Sequence, residues 1–249
     1  STGDRSLRSF ALTSNDRPSN LWWSSDGKRL LYVSADTKSN AVFALDIATA
    51  QTEPLFSPMN DAERFHLSPD GKEMVFYRWN GGRHNGRREL IVAQVGQRDG
   101  RVLAAEQEEK VGRFSNWVRP TFSPNGRQIL FATENGNLWL AAADGSGRRI
   151  LATSATQAVE GEPSRFFHYA AWHPQGDYVV YDNGKTLFVV KVETGEQHEL
   201  SLPENLVESI DGVWQWSPDG TQIVFTGARG GGPELWTVKN LLATKPTEN

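Results

Sequence analysis

Trp216-Ser-Pro-Asp-Gly-Thr-Gln-Ile-Val-Phe225 is one of five copies of a short motif that runs through the whole chain. The other copies begin at Trp23, Leu67, Phe122 and Trp172. The motif glycines recur at intervals of 44, 55, 50 and 44 residues, at Gly27, Gly71, Gly126, Gly176 and Gly220. A period in this range is typical of repeat architectures, and of β-propellers when each unit reads as strands.

Each unit reads as four strands arranged around the motif turn. The first strand ends at the aromatic or leucine residue that opens the motif. In the turn, proline presets one backbone angle and glycine takes a conformation that other residues avoid. An aliphatic pair and an aromatic residue then form a second strand, as in Ile223-Val224-Phe225, and a third apolar strand and a polar fourth follow. The sequence therefore predicts an all-β, five-bladed β-propeller with four antiparallel strands per blade.

We predict a single propeller domain over residues 1–249, with blades at about 20–56, 63–105, 117–152, 168–202 and 212–238. The fifth unit shows no fourth strand after Val238, whereas the N-terminal segment resembles the fourth-strand segment Thr194–Leu202. We therefore expect residues 5–12 to form an N-terminal strand that closes the last blade. Such closure removes the open sheet edge that a linear array leaves.

The composition narrows the classes of protein. The chain has 249 residues, of which 38% are hydrophobic, and a formal net charge of −4. These values fit a folded core and disfavour a basic nucleic-acid-binding protein. The sequence contains no cysteine, which excludes thiol catalysis and disulfides and is compatible with an oxidising compartment. Because the sequence starts at Ser1 without methionine, we expect that a signal peptide, a membrane anchor or another domain preceded it.

The repeated unit, aromatic-Ser-Pro-Asp-Gly followed by two aliphatic residues and an aromatic, resembles the WD40-like β-propeller repeat of TolB-type proteins. The resemblance covers nearly the whole chain, but TolB itself carries a separate N-terminal domain and six blades. It implies a bacterial, often periplasmic, protein-binding scaffold. Similar propellers also occur in ectodomains of membrane-anchored transcription regulators, in prolyl-oligopeptidase-like peptidases and in an oligogalacturonate lyase.

Motifs for catalysis are scarce. The sequence has neither a Gly-x-Ser-x-Gly nucleophile motif nor a phosphate-binding glycine loop. His66 and His168 are the only histidines near the predicted inner strands, and two histidines without a third partner make a weak metal site. We therefore predict no cofactor and no metal.

The loops that enter the first strands should form the recognition face, by analogy with other propellers. Partner-binding residues predicted there are Arg64, His66, Trp117, Arg119, His168, Tyr169 and Trp214. The longest loop between a second and a third strand, Arg78–Arg88, adds Arg78, Trp79, Arg83, Arg87 and Arg88. Arginine beside tryptophan is typical of interface hot spots, so this loop is either an arm for an acidic partner or a solvated hairpin tip. Five tryptophans in repeat positions are expected in the core: Trp23, Trp139, Trp172, Trp216 and Trp236.

Together these features predict a non-catalytic module that binds a protein or peptide and acts as a scaffold or accessory subunit, and the basic loop favours an acidic partner. The location expected for it is periplasmic or otherwise extracytoplasmic. Nucleic acid binding and membrane insertion by this segment are not expected, and the oligomeric state is left open. Two alternatives remain: a ligand-sensing ectodomain of a membrane-anchored transcription regulator, and a metal-dependent polysaccharide lyase.

Overall fold

A computed structural model describes residues 9–10, 18–24, 26–36, 39–55, 61–82, 86–97, 99–108, 113–114, 118–153, 169–182, 186–200, 209–210, 215–229 and 232–239. All regular secondary structure in these ranges is β-strand. The strands, in chain order, are β1 (Pro18–Trp23), β2 (Arg29–Asp36), β3 (Ser39–Asp46), β4 (Thr52–Pro54), β5 (Ala62–Leu67), β6 (Glu73–Asn80), β7 (Arg87–Gln94), β8 (Arg101–Ala105), β9 (Thr121–Phe122), β10 (Gln128–Thr133), β11 (Asn137–Ala142), β12 (Arg149–Thr153), β13 (Ala170–Trp172), β14 (Tyr178–Asp182), β15 (Leu187–Lys191), β16 (Gln197–Leu200), β17 (Ser209–Ile210), β18 (Gln215–Trp216), β19 (Gln222–Arg229) and β20 (Gly232–Lys239).

These strands form five four-stranded antiparallel sheets, and the predicted five-bladed β-propeller is confirmed. The first four sheets follow chain order, β1 to β4, β5 to β8, β9 to β12 and β13 to β16. In the fifth sheet, β17 and β18 pair with different parts of β19, whose other edge pairs with β20. Apart from Ser9 and Phe10, residues 5–12 lie outside the described ranges, so closure of the last blade by the N-terminal segment stays a prediction.

The motif turn is held by the same hydrogen bonds in successive blades. In the second blade the Ser68 hydroxyl donates to the Asp70 carboxylate at 2.7 Å and accepts from the Glu73 backbone N–H at 2.9 Å. Asp70 also accepts from the Lys72 backbone N–H, and these bonds hold the pKa of its carboxyl below the ordinary value. Ser24, Ser123 and Ser217 make the equivalent contacts in their blades.

His173 replaces the turn serine in the fourth blade. Its Nδ1 lies 2.6 Å from the Asp177 carboxylate, and its Nε2 lies 3.2 Å from the Gly220 carbonyl of the fifth blade. The ring also packs edge-on against Trp216, with centroids 4.7 Å apart. The histidine therefore keeps the turn and adds a contact between two blades.

The first strand of each blade lies on the inner side of the propeller. Neighbouring blades contact each other through their first strands, β5 with β9 and β13 with β18. The fourth strands are more exposed; every residue of β4 is solvent-accessible. Because blades surround a central channel, the residues that lead into the first strands lie around its mouth.

Four buried apolar clusters fill the spaces between consecutive blades, from the first to the fifth. The residue that opens the motif packs on the preceding blade: Leu67, Phe122, Trp172 and Trp216 follow this rule. Trp139 and Trp236 also pack in these clusters, as expected. The expectation was wrong for Trp23, which is 63% exposed. The clusters of described residues join the first blade to the second and so on to the fifth, and Trp23, on the first strand of the first blade, belongs to none of them.

The described residues contain no helix long and apolar enough to span a bilayer.

Candidate functional site

Three of the predicted partner-binding residues hold the same position in consecutive repeats. Arg64, Arg119 and Tyr169 each lie three residues before the residue that opens the motif, in the second, third and fourth blades. At this position the first strand is irregular: the register of β5 shifts between Glu63 and His66, whereas β9 and β13 begin only after it. We call Arg64, His66, Arg119 and Tyr169 the channel-mouth group, because Arg119 lies close enough to each of the other three for electrostatic interaction.

Arg64 has an unusual backbone conformation. Its φ is 61°, in the left-handed region that residues with a Cβ rarely adopt. Such a conformation costs on the order of 1–3 kcal/mol and persists only where the surrounding structure imposes it. Here it coincides with the register shift of β5 between Glu63 and His66.

Arg119 lies close enough to Arg64 for their charges to interact. Desolvation by the surrounding protein lowers the pKa of the exposed Arg119, the Arg64 charge lowers it further, and Tyr169 opposes the shift. Neither guanidinium forms an ion pair with any residue in the described ranges. The site therefore holds two neighbouring positive charges, neither of which forms an ion pair with the described residues.

His66 is neutral at physiological pH. Burial lowers its pKa to about 4, and the nearby Arg119 charge acts in the same direction, whereas a backbone hydrogen bond at Leu67 opposes both. Its Nδ1 accepts a 3.3 Å hydrogen bond from the Phe122 backbone N–H of the next blade. That assignment places the ring proton on Nε2. His66 thus joins two blades and adds no charge to the channel-mouth group.

Tyr169 is fixed by a reciprocal pair of hydrogen bonds with the buried Asp182. The Tyr169 backbone N–H donates to the Asp182 carboxylate at 3.1 Å, and the Asp182 N–H donates to the Tyr169 carbonyl at 3.2 Å. This arrangement holds the entry to β13 in place beside Arg119.

The predicted basic arm is organised differently from the channel mouth. Arg78 forms ion pairs with Glu89 and Asp99, each at 3.2 Å, and the half-exposed Arg87 lies 3.7 Å from Glu89. Arg78 and Trp79 also line a cavity of about 560 Å³ with Asp61, Asn80, Gly81, Gly82 and Asp99. The arm is therefore partly neutralised by acidic residues of its own blade.

Arg88 is not an exposed loop residue. It is 4% exposed and forms an ion pair with the buried Glu106 at 2.8 Å. Its guanidinium also donates to the Phe114 carbonyl and lies 5.4 Å from the Trp79 ring centre. The prediction that Arg88 lies on an exposed arm was wrong. Arg88 is buried because its counter-charge, Glu106, follows β8 and lies outside the hairpin.

The remaining predicted residues, Arg83, Trp117, His168 and Trp214, lie outside the described ranges. The position of His168 relative to His66, the other histidine weighed for a metal site, is therefore not described. Within the described ranges, no group of three or more His, Asp or Glu side chains could hold a metal ion.

The fold is similar to several solved propellers. TolB from Acinetobacter baumannii superposes with a TM-score of 0.64 and 19% identity over 92% of this chain and 53% of its own. Oligogalacturonate lyase from Vibrio parahaemolyticus gives 0.64 and 16% over 90% of this chain and 63% of its own. A prolyl endopeptidase gives 0.61 and 11% over 93% of this chain and 35% of its own. The chain thus spans from about a third to less than two thirds of these proteins.

The sequence matches no protein-family model and no curated protein. At these identities the structural similarities show the fold alone, and they include TolB as well as enzymes.

One signal in the sequence could have singled out the channel-mouth group among the predicted residues. Counting three residues back from each motif start gives Asn20, Arg64, Arg119, Tyr169 and Val213. Because equivalent repeat positions are arranged around one axis, adjacent arginines at this position predict a local concentration of positive charge. The involvement of Asp182 had no such signal, because it depends on a hydrogen bond to a backbone N–H.

Proposed function

We propose that this chain is a non-catalytic protein- or peptide-binding propeller, a scaffold or accessory subunit whose partner docks over the channel mouth. The observation that carries the proposal is the pair Arg64 and Arg119, adjacent and without an ion pair to the described residues. Two like charges that also lose hydration destabilise the free protein. A partner that supplies the counter-charge would remove this destabilisation on binding.

The other members of the group support binding rather than chemistry. His66 has the side chain best suited to proton transfer, but its Nδ1 is engaged by Phe122 and its pKa is about 4. A general base for neutral pH works best with a pKa near the operating pH. Arginine is also among the residues most enriched at interface hot spots.

The similarity to TolB structures supports a periplasmic or otherwise extracytoplasmic location, as part of the same proposal. The lack of cysteine in the sequence is compatible with an oxidising compartment. Fractionation of cells that express the natural gene tests this point, because recovery with the cytoplasmic fraction contradicts it.

A selection of linear peptides on the immobilised protein tests the proposed function. Enriched peptides are synthesised, and their affinities are measured by fluorescence anisotropy. We expect Arg64→Gln/Arg119→Gln to weaken their binding at least about tenfold, which corresponds to the loss of one charged anchor. The matched control, Arg29→Gln/Arg101→Gln, removes the same charge from two exposed ion pairs far from the channel mouth.

Two results overturn the proposal. One is a selection that enriches no peptide, or peptides that bind the channel-mouth variant and the control with equal affinity. The other is enzymatic activity: stoichiometric metal in the purified protein together with cleavage of polygalacturonate identifies a lyase.

A further inference from the structure

We infer that the channel mouth recognises a carboxylate group, which lies between the second and third blades and is held by Arg64 and Arg119. This inference rests on the proposed function and names the chemistry of the ligand group. The carboxylate comes either from a chain terminus or from an Asp or Glu side chain of the partner.

The first step is the charge of the site. Arg64 and Arg119 each carry a positive charge, and neither forms an ion pair within the described ranges. His66 is engaged by the backbone of Phe122 and adds no charge. An anionic group would therefore find two arginine charges that no described residue pairs with.

The second step is the strained backbone of Arg64. β5 shifts register between Glu63 and His66, and Arg64, which lies in this irregularity, takes a φ of 61°. Strain at a residue with a Cβ is concentrated at ligand sites, where it holds a side chain in place before binding. This observation is independent of the charges and points to the same residue.

The third step is the choice of anion. Guanidinium groups match planar carboxylates through paired N–H donors. The cost of transferring an anion from water rises steeply with its charge, so a singly charged carboxylate suits the partly desolvated Arg119 better than a dianionic phosphate. Because the arginines come from adjacent blades, the bound group would also connect those blades.

Small probes test the inference on the intact protein. N-acetylglycinate presents a terminal carboxylate, and N-acetylglutamic acid amide presents a side-chain carboxylate. N-acetylglutamine amide is the neutral control, and inorganic phosphate is the alternative anion. Binding is followed by NMR through the Nε–H signals of arginine, assigned with the single variants Arg64→Gln and Arg119→Gln.

We expect at least one carboxylate probe to shift both arginine signals with a dissociation constant on the order of millimolar. The terminal or side-chain source follows from which of the two probes binds more tightly. The neutral amide should cause no shift, and binding should weaken at least about tenfold in Arg64→Gln/Arg119→Gln but not in Arg29→Gln/Arg101→Gln.

Phosphate that binds as tightly as the carboxylates overturns the inference, as does carboxylate binding that survives in the channel-mouth variant. Selected peptides that bind the protein without competition from either carboxylate overturn it too, while leaving the proposed function intact. If the carboxylate probes bind but no peptide does, the carboxylate site is supported and the proposed role in protein binding is overturned.

Discussion

Arg88 differs from the two arginines at the channel mouth, Arg64 and Arg119, in how its positive charge is accommodated. Arg88 is buried, and its guanidinium meets the Glu106 carboxylate, the Phe114 carbonyl and the ring of Trp79. Arg64 and Arg119 lie at the channel mouth beside each other, without an ion pair to any described residue. The first arrangement neutralises its charge within the protein, whereas the second forms no ion pair among the described residues.

Burial and ion pairing distinguish the structural Arg88 from the candidate binding residues Arg64 and Arg119, whereas position in the chain does not. A buried charge is tolerated only when it is paired and hydrogen-bonded. Glu106 also accepts a 2.9 Å hydrogen bond from the Phe114 N–H, so Arg88 and Glu106 together hold the Phe114 backbone in place. Arg88 therefore has a structural role, because its charge is paired with Glu106 inside the protein.

The largest effect is expected for Arg88→Met, which leaves Glu106 buried without its counter-charge. Removing one partner of a buried ion pair costs about 3–5 kcal/mol. Urea denaturation should show a loss of stability of this size. The double variant Arg88→Met/Glu106→Gln should recover part of the loss, because it removes the unpaired charge. A single-variant loss below about 1 kcal/mol would show that pairing does not distinguish the two arginine groups.

His66 allows a second test, because it lies near Arg119 and is kept neutral by burial. Its pKa is about 4 in the folded protein and 6.5 in the ordinary state. As pH falls from 6.5 towards 4, the unfolded chain takes up a proton that the folded chain does not, so stability falls. The expected loss is about 2 kcal/mol, discounted because the ring keeps some exposure.

The variant His66→Gln keeps a side-chain acceptor for the Phe122 N–H but cannot titrate. Its free energy of unfolding should therefore fall less steeply than that of the natural protein over the same pH range. Parallel curves for the two proteins would show that His66 is not held neutral by its surroundings. The remaining histidines are common to both proteins and cancel in the comparison.

The sequence was sufficient to predict the blades because each motif specifies its turn locally. Ser68, Asp70 and Gly71 form the turn within a few residues, and the same chemistry recurs in the other blades. The locations of Arg88 and Trp23 could not be predicted in this way. The first depends on Glu106 and Phe114, far along the chain, and the second depends on whether a neighbouring blade covers its face.

The channel mouth is an intermediate case. Arg64, His66, Arg119 and Tyr169 were all predicted from the loops that enter the first strands, and the structure places them together. Their different roles follow from three-dimensional contacts: the Phe122 N–H engages His66, and the two arginines lack carboxylate partners within the described ranges. From residue type alone, His66 and the two arginines would all be expected to contribute to binding in the same way.

The smallest expected effect is a gain of stability when one of the two neighbouring arginines, Arg64 and Arg119, is replaced by a neutral residue. Arg119→Gln removes a desolvated charge and its repulsion with Arg64, so the free protein should become more stable by roughly 0.5 kcal/mol, a value discounted for exposure and screening. Thermal unfolding at low and high salt measures the gain, which should shrink as salt screens the repulsion. The same substitution at Arg101, which is paired with Glu73, should give no gain. If the Arg119→Gln protein is less stable than the natural one at low salt, Arg119 is held by favourable contacts. The difference from Arg88 would then no longer indicate a binding site at the channel mouth.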